Sequence, residues 1–410
     1  MNNEIDINNI IKNKNLEIKF QPIVSIIKQL VIGFEVSSIG CHQKDEFVTI
    51  DELIKCAKNK DVIIDLDRLY REKAVESFSK LYCETKEKIL FININASIIS
   101  KFVGSGVIMD LVNKFNLKPQ NVVLEIVEDN IEDIESLKSF TTNYRSKGFL
   151  VALSDIGYGF ANLDKISYVE PDIIKISGAI TQNIESDYYK QEIFKSLVNL
   201  CKNIGALVVA DGIESLQQAF TTIELGADML KGEYFGISQE ITNEFMDNIK
   251  GNVQYIAKKY KDYMIDKINI EKSRHKRYES IMENILNELS NVREKEFNNK
   301  LKEVISDYDI FECVYILNKD GVQVSDTFTH YKNMLSQKAL IFHPAKRGTN
   351  HSLKKYYYFL KNMGLSKYIT EPYISLATGN LCITISSIFA NKDNENYILC
   401  IDFNPNDISI

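Results

Sequence analysis

The sequence predicts an α/β protein with a mostly parallel barrel or doubly wound sheet, a long helical tract and a small α+β module. Three observations support this fold class. Short apolar runs alternate with longer amphipathic stretches from residue 15 to about 250. A highly charged, helix-prone tract follows over 243–306, and the remaining residues contain apolar runs joined by turn signals. The length of 410 residues also favours more than one domain.

The first segment is built from short apolar runs, which we expect to be strands. They read IKFQPIVS, VIGFEVSS, KILFINI, NVVLEIV, FLVALSDI, DIIKIS, LVVADGI and MLKGEYFG. The stretches between them, including 51–81, 98–117, 130–147 and 185–204, have apolar residues at helical spacing. Strand and helix in alternation indicate parallel strands joined by helical crossovers.

The charged tract over 243–306 is expected to form one or two long connecting helices. It carries an apolar stripe at three- and four-residue spacing, formed by Met282, Ile285, Leu286, Leu289 and Val292. Such a stripe either forms a dimeric coil or packs only on its own domain. The sequence leaves both alternatives open.

Residues 307–410 predict a small antiparallel sheet with helices. The stretch FECVYILNKDGVQVSD reads as strand, Asp-Gly turn and strand, and ATGNLCITISSIF and NYILCIDF read as two more strands around a turn. His343, His351 and the tyrosines at 356–358 are candidates for a ligand pocket, although an aromatic stripe is more typical of a core. The predicted domains are therefore 1–247, 248–306 and 307–410.

Composition and charge exclude several classes of protein. A net charge of -7 with a pI near 5.5 gives no electrostatic footprint for DNA, although a nucleotide in a local pocket is compatible with it. The sequence has no apolar run of about 18 residues, and its N-terminus, MNNEIDINNI, does not resemble a signal peptide. We therefore expect a cytoplasmic protein without a membrane partner. The 7 cysteines lack CxxC spacing, which predicts free thiols.

Polar residues recur where the predicted strands stop. They are Glu35, Asn93, Glu125, Asp155, Lys175, Asp211 and Lys231. In an α/β barrel this edge carries the active site. Each residue alone is compatible with a helix cap or a solvated loop, but their recurrence on successive strands favours a site. Carboxylate and amide oxygens are ligands for Mg²⁺ or Mn²⁺, and paired ions clamp the oxygens of a phosphoester while a buried lysine such as Lys175 holds water or phosphate.

The segment over residues 15–247 resembles the EAL domain, the family of cyclic diguanylate phosphodiesterases. FQPIV and GFEVS resemble the opening with the E-A-L signature, FININAS the asparagine strand and LEIVE the L-E-x-T-E strand. ALSDIGYGFANL, PDIIKIS, VVADGIES and LKGEYFG resemble the family's Asp-Asp, lysine, A-E-G-V-E and Q-G-Y motifs in the same order. The resemblance implies a modified TIM (β/α)8 barrel that commonly dimerises, cyclic diguanylate as ligand, and Mg²⁺ or Mn²⁺ as cofactor.

The resemblance also implies roles for individual residues. Metal ligands are implied at Glu35, Asn93, Glu125 and Asp155, and the catalytic set would be Lys175, Glu35 and a vestigial Asp211. Ligand-binding positions are implied at Gln21, Glu35, Asp155, Gly157, Gly159, Lys175, Glu214 and Lys231. The two glycines allow the loop after the Asp155 strand to turn tightly.

The chain departs from the family pattern at positions that carry charge. Ser154 replaces the first of two adjacent aspartates, Lys231 replaces the glutamine of Q-G-Y, and Ser177 replaces the aspartate of K-I-D. Asp211 is one methylene shorter than the family's glutamate, and the arginine that usually follows the signature is absent from EVSSIG. The changes at Ser154 and Lys231 make the pocket about two units less negative, so at least one metal site is expected to fail. We expect the Lys231 ammonium to lie against Asp211 or Asp155 as a substitute cation.

These observations favour a catalytically impaired receptor or regulatory module for cyclic diguanylate, with impaired metal binding or none. A weakly active phosphodiesterase is the first alternative, because Glu35, Asn93, Glu125, Asp155 and Lys175 are present. A docking scaffold that binds no nucleotide is the second. The order of barrel, helix and small module resembles Bacillus-type inactive EAL proteins with a C-terminal PAS-like or Cache-like sensor domain. A homodimer and an unidentified protein partner are expected.

Overall fold

The structure is a computed structural model and describes residues 5–43, 46–82, 87–95, 99, 106–127, 133–158, 163–308, 310–329 and 342–405. The chain forms two compact units, Met1–Met264 and Ile265–Ile410. The boundary between them falls inside the tract that the sequence predicts as a linker. Gly159 and the first residues of the predicted helical stretches 98–117 and 130–147 lie outside the described residues.

The first unit alternates strands and helices. Its strands are β1 (Glu17–Ser25), β2 (Leu30–Gln43), β3 (Glu46–Thr49), β4 (Ile89–Asn95), β5 (Val122–Val127), β6 (Leu150–Ile156), β7 (Ile173–Ile176), β8 (Leu207–Ala210) and β9 (Met229–Lys231). Its helices are α1 (Ile7–Lys12), α2 (Ile50–Asn59), α3 (Ile63–Tyr82), α4 (Val107–Lys114), α5 (Ile134–Ser146), α6 (Asp164–Val169), α7 (Gly178–Thr181), α8 (Tyr188–Ile204), α9 (Leu216–Glu224) and the first part of α10 (Asn243–Ser290). A 3-10 turn, Pro119–Asn121, precedes β5.

The strands of the first unit close into a barrel. Their order is β1-β9-β8-β7-β6-β5-β4-β2-β3, and β1 also pairs with β2. From β2 through β4 to β9 the neighbouring barrel strands are parallel, whereas β1 is antiparallel to both β2 and β9. The hairpin strand β3 lies outside the closure. Closure confirms the predicted modified (β/α)8 barrel and excludes the doubly wound sheet.

Helix boundaries in the first unit follow local side-chain chemistry. Thr49 and Glu52 form a reciprocal capping box at the start of α2, and Ser215 and Gln218 form another at the start of α9. The stretch 51–81 contains two helices rather than one, because Asp61 between them has a positive φ of 53°. A residue in this left-handed conformation ends a right-handed helix.

The interior of the barrel is filled by an apolar layer. Seven of the eight barrel strands contribute one residue each: Ile23, Phe91, Val123, Ala152, Ile173, Val209 and Met229, none more than 5% exposed. A second and larger apolar core packs the helices against the outside of the strands. The barrel is therefore a packed core, and any polar chemistry must lie at one of its ends.

The second unit contains an antiparallel sheet with helices. Its strands are β10 (Phe311–Asn318), β11 (Phe328–Thr329), β12 (Lys367–Ile369), β13 (Tyr373–Ile374), β14 (Leu381–Ala390) and β15 (Asn396–Phe403), in the order β11-β10-β15-β14-β12 with β13 on β14. Its helices are the remainder of α10, α11 (Phe297–Asp307) and α12 (Lys355–Asn362), and a 3-10 turn, Glu294–Glu296, precedes α11. The strands predicted in 377–389 and 396–403 are confirmed.

The apolar stripe of α10 contributes to the core of the second unit. Met282, Ile285 and Leu289 are at most 2% exposed there, and Leu286 and Val292 pack against them. The structure thus favours the alternative in which this stripe packs on its own domain. The strand predicted after the Asp-Gly turn is reduced to isolated bridges, Leu317↔Gln323 and Val322↔Asn350.

The state of the cysteines and the absence of a long apolar run are two further predictions from the sequence. The described cysteines at 41, 56, 201, 313, 382 and 400 are free thiols, as predicted, and Cys83 lies outside the described residues. None of the described helices is both long and apolar enough to cross a membrane.

Candidate functional site

The candidate site is a layer of polar side chains directly above the apolar layer of the barrel. Side chains alternate along a strand, so the residue two positions from each apolar-layer residue points into the same interior. Towards the carboxyl ends of the parallel strands, this is the residue two positions later in the chain, and on the antiparallel β1 it is the residue two positions earlier. Counted in this way, the layer consists of Gln21, Asn93, Glu125, Ser154, Lys175, Asp211 and Lys231, and Glu35 joins it opposite Gln21 in the β1–β2 register. The structure therefore brings most of the predicted strand-end residues together. Ser154, rather than Asp155, occupies the position in this layer on β6.

Two lysines and three carboxylates form an ion-pair network in this layer. The Lys175 Nζ lies 2.7 Å from Glu35 Oε2 and 3.5 Å from Asp211 Oδ2, and it contacts Glu125 Oε1. The Lys231 Nζ lies 2.8 Å from the same Glu35 oxygen and 3.3 Å from Asp211 Oδ2. The expected contact between Lys231 and Asp211 is thus present, and Lys231 pairs with Glu35 as well.

Gly232 allows Lys231 to approach Asp211 so closely. A Cβ atom at Gly232 would lie 2.0 Å from the carbonyl oxygen of Ile213. The Ile213 N–H donates to the Lys231 carbonyl at 3.0 Å, which joins the end of β9 to the loop after β8. The Asp211 carboxylate is oriented from its other side, because the Gly212 N–H donates to its Oδ1 at 2.7 Å. The backbone therefore holds both partners in place.

Asp155 adopts a backbone conformation that is unusual for a non-glycine residue. Its φ is +56°, and the pairing of β6 with β7 changes register between Leu153 and Ile156. Aspartate tolerates this left-handed region better than most residues. Gly157 follows with φ +95°, where a Cβ atom would lie 2.1 Å from Ile180 Cδ1. Alternation from Ala152 places Ser154 in the interior layer, and the bulge explains why Asp155 lies beside that layer.

The remaining predicted residues lie outside the ion-pair network. The Gln21 side-chain amide donates to the Gly236 carbonyl at 3.3 Å. Glu214 is exposed, and its backbone N–H donates to Gln218 Oε1 at 2.8 Å in the cap of α9. Ser177 caps the start of α7 by accepting from the Ala179 N–H at 3.2 Å, so the substitution at this position has a structural role.

Burial and charge act in opposite directions on the buried groups. Burial alone would raise the pKa of the Glu35 carboxyl, but the ammonium groups of Lys175 and Lys231 lower it to about 2. Burial, followed by repulsion from Glu35, raises the pKa of Glu125. Burial would lower the pKa of Lys175, but its carboxylate neighbours raise it well above the usual value. Burial also raises the pKa of Asp155, against the attraction of Lys175.

Two buried oxygens at the site have neither a hydrogen-bond partner nor an ion-pair contact among the described residues, whereas Glu125 Oε1 contacts Lys175. They are Asn93 Oδ1 and Glu125 Oε2. Buried polar atoms of this kind ordinarily bind water, a ligand or an ion, and both belong to residue types that ligate hard divalent cations. These two oxygens are therefore available as ligands for one such cation. In the part of the chain that the structure describes, no three acidic, histidine or cysteine groups are arranged to enclose a metal ion, and the lysine ammoniums lie between the carboxylates.

Tyr70 of α3 is a neighbour of the site that the sequence analysis missed. Its hydroxyl donates to the Val36 carbonyl at 2.9 Å, directly after Glu35. Burial, with the nearby charges of Glu35 and Glu125, raises the pKa of this hydroxyl. A tyrosine in an amphipathic helix looks like a core residue, so no sequence signal distinguishes it.

The Glu35 ion pairs are expected to give a characteristic acid response. Because the folded-state pKa lies below that of the unfolded chain, ionised Glu35 stabilises the fold above about pH 4.5, by roughly 3 kcal/mol, and this contribution is lost as the pH falls towards 2. The difference in free energy of unfolding between wild type and Glu35→Gln should therefore shrink over this window in urea titrations. Glu185→Gln, at an exposed loop position, is the matched control. A difference that stayed constant with pH would contradict the ion pairing.

The fold and the polar layer define a modified (β/α)8 barrel whose candidate site, built from carboxylates, an asparagine and lysines, lies at the carboxyl ends of its strands. The chain belongs to the EAL domain family, whose model matches residues 4–238. The EAL-domain containing protein YkuI of Bacillus subtilis is 24% identical over 383 residues, covering 90% of each chain. The probable cyclic di-GMP phosphodiesterase PdeB of Escherichia coli is 22% identical over 208 residues, 51% of this chain and 40% of that protein.

Solved structures resemble the chain as well. The structure of Bacillus subtilis YkuI in complex with c-di-GMP and calcium has a TM-score of 0.78 at 21% identity and covers 98% of this chain and 100% of that one. The FimX EAL domain of Xanthomonas citri in complex with c-di-GMP has a TM-score of 0.53 at 15% identity, covering 58% and 93%. The chain spans 40%, 22% and 30% of the first curated relatives it matches. At these identities the structural likeness establishes the fold.

Proposed function

We propose that the barrel is a receptor for cyclic diguanylate with impaired phosphodiesterase activity. The observation that carries this proposal is the Lys231 ammonium, held 2.8 Å from Glu35 and 3.3 Å from Asp211. A fixed cation at this position neutralises the carboxylates that would otherwise attract a second divalent ion. Similar proteins support cyclic diguanylate as the ligand, since PdeB is a probable cyclic di-GMP phosphodiesterase and the YkuI and FimX structures contain c-di-GMP.

The charge balance of the site supports the impairment. The acidic side chains are Glu35, Glu125, Asp155 and Asp211, and Lys175 and Lys231 oppose them. Divalent affinity rises with the number of anionic ligands. Glu35, Asn93, Glu125 and Asp155 would hold one Mg²⁺ or Mn²⁺ ion, which when bound polarises a phosphate and lowers the pKa of water. Lys175 would then orient the phosphate or the water through its ammonium.

A weakly active phosphodiesterase is the second candidate. The observation that favours it is the convergence of Lys175, Glu35 and Glu125 with the unpartnered oxygen of Asn93. These groups suffice for a single-metal reaction of low efficiency. Loss of positioning groups costs several powers of ten in rate when charge and orientation supply most of the acceleration.

For the second unit we propose a PAS-like sensor domain, connected to the barrel by the helical segment 248–306. Its support is the antiparallel sheet of β10 to β15 with flanking helices. We further propose a cytoplasmic homodimer that signals to a protein partner. Exposed apolar side chains on α10, such as Tyr255, Ile265 and Ile268, support a contact between copies along this helix.

Calorimetric titration of cyclic diguanylate into the full chain tests the receptor proposal. We expect binding in the presence of Mg²⁺, weaker binding with EDTA, and little or no linear dinucleotide in the same samples by chromatography. Binding depends on ordered polar groups at the barrel mouth, whereas turnover needs the complete set of metal ligands. Efficient turnover would favour the phosphodiesterase instead, and absence of binding in both buffers would leave a docking scaffold.

A further inference from the structure

The second unit contains a cavity of about 500 Å³, which lies between the sheet and the segment before α12. Its lining includes Tyr315, Tyr356, Tyr373, His351 and Asp402. His343 also lines it, so two of the predicted pocket residues and one of the tyrosines at 356–358 do lie at a cavity. Its size matches that of small-molecule sites, which are mostly apolar with a few convergent polar groups.

Asp402 is the most deeply buried charged group of the cavity. Its side chain is 2% exposed on the central strand β15. It accepts hydrogen bonds from Thr384 Oγ1 at 2.7 Å, Ser375 Oγ at 3.2 Å and Cys313 Sγ at 3.2 Å. The Cys382 thiol is a further hydrogen-bond neighbour. All of these groups are neutral donors, and no basic side chain of the described residues forms an ion pair with Asp402. Burial raises the pKa of the Asp402 carboxyl, and a cationic group placed against it would favour the ionised form, because a buried carboxylate is stable when paired with a cation.

His351 does not provide this cation. The Gln323 amide donates to Ser325 and Thr327, both at 2.9 Å, which directs its Oε1 towards His351 Nε2 at 3.0 Å. The imidazole therefore carries its proton on Nε2, and Nδ1 accepts from the Tyr356 hydroxyl at 2.7 Å. Burial, with Lys354 nearby, lowers the pKa of His351 to about 4, so the ring is neutral at neutral pH.

We propose that this cavity binds a small molecule with an ammonium group, which lies against Asp402 and between the tyrosine rings. The carboxylate supplies the counter-charge, and the faces of Tyr315, Tyr356 and Tyr373 supply cation–π contacts. At the rim, Lys346 and Lys354 are exposed and line the same cavity. These lysines favour ligands that also carry an anionic group, as amino acids do. Simple amines share with them the ammonium group that pairs with Asp402.

The inference gives a ligand class to the sensor role proposed for this unit. It rests on that role only for its biological meaning, because the cavity and Asp402 are independent of the barrel site. Failure to bind ammonium compounds would therefore leave the cyclic diguanylate proposal untouched. Failure of the dinucleotide titration would equally leave this inference untouched.

The test uses the full chain and three ammonium probes, each paired with an analogue that lacks the nitrogen. The pairs are choline with 3,3-dimethylbutan-1-ol, putrescine with butane-1,4-diol, and L-leucine with 4-methylpentanoic acid. Thermal shift and calorimetry measure binding. We expect at least one ammonium probe to bind at least about tenfold more tightly than its analogue, because only it can pair with Asp402.

Variants assign the binding to the cavity. Asp402→Asn, which keeps the shape of the side chain, should weaken the probe at least about tenfold, and Asp320→Asn, at an exposed turn, should not. If Asp402→Asn fails to fold, the pair Tyr373→Leu and Tyr373→Phe replaces it, because only the phenylalanine retains an aromatic face. Equal binding of the analogues, no binding of any probe, or wild-type affinity in both Asp402→Asn and Tyr373→Leu would overturn the proposal.

Discussion

The double variant Ser154→Asp/Lys231→Gln is expected to hydrolyse cyclic diguanylate at least about 100-fold faster than the wild type in the presence of Mg²⁺ or Mn²⁺. Ser154 is 1% exposed and occupies the interior layer between Glu125 and Lys175, so an aspartate there adds a carboxylate to the site itself. Removing the Lys231 ammonium takes away one of the two cations that contact Glu35 Oε2 and Asp211 Oδ2, and leaves the Lys175 contacts in place. The measurement is the rate of linear dinucleotide formation by chromatography.

The same variant should also bind Mg²⁺ more tightly, by about tenfold or more, because two units of negative charge return to the site. Ser186→Asp/Lys195→Gln is the matched control, since it makes the same charge change at exposed positions of the barrel. The control should leave metal affinity and turnover unchanged. If the double variant gained neither Mg²⁺ affinity nor turnover, Lys231 would not be acting as a substitute cation.

The gains in turnover of the two single variants, added together, are expected to be smaller than the gain of the double variant. With Lys231 retained, an aspartate at position 154 still faces two ammonium groups. With Ser154 retained, the metal site still lacks one carboxylate ligand. Residues that share one network couple by 0.5–3 kcal/mol as a rough range. A turnover gain that one substitution supplied in full would assign the impairment to that position alone.

The sequence was sufficient to predict that the strand-end residues lie close together, because such residues in a parallel barrel meet at one edge whatever the exact strand lengths. It did not predict that Asp155 would lie beside the interior layer, next to Ser154. The position of Asp155 depends on the bulge in β6 and on its positive φ, and a single register change reverses the direction of every following side chain.

Sequence patterns also did not predict the contacts that depend on the backbone or that come from helices. The approach of Lys231 to Asp211 depends on Gly232, because the Ile213 backbone lies where a Cβ atom of any other residue would be. The sequence does not reveal this neighbour. Tyr70 reaches the site from α3 with an ordinary amphipathic pattern around it. The sequence alone leaves the α10 stripe compatible with a dimeric coil, whereas the structure shows that it packs in the core of the second unit.

Replacing Lys175 by methionine is expected to destabilise the barrel by about 3–5 kcal/mol at neutral pH, because it leaves buried carboxylates without their cation. Glu125 is affected most, since it is 1% exposed and Lys231 forms no ion pair with it among the described residues. For a unit of this size the loss corresponds to a fall in Tm of about 10 °C. Urea unfolding and thermal unfolding at pH 7 measure the effect.

Lys250→Met is the matched control, because Lys250 forms an exposed ion pair with Asp247 at 3.6 Å and such pairs contribute about 0–1 kcal/mol. Adding Glu125→Gln to Lys175→Met should restore part of the stability, since it removes the unpaired charge that causes the loss. Lowering the pH should do the same, because burial raises the pKa of Glu125 and favours its neutral form. A Lys175→Met variant as stable as Lys250→Met, with no response to Glu125→Gln, would mean that the carboxylates are neutralised by protons rather than by Lys175.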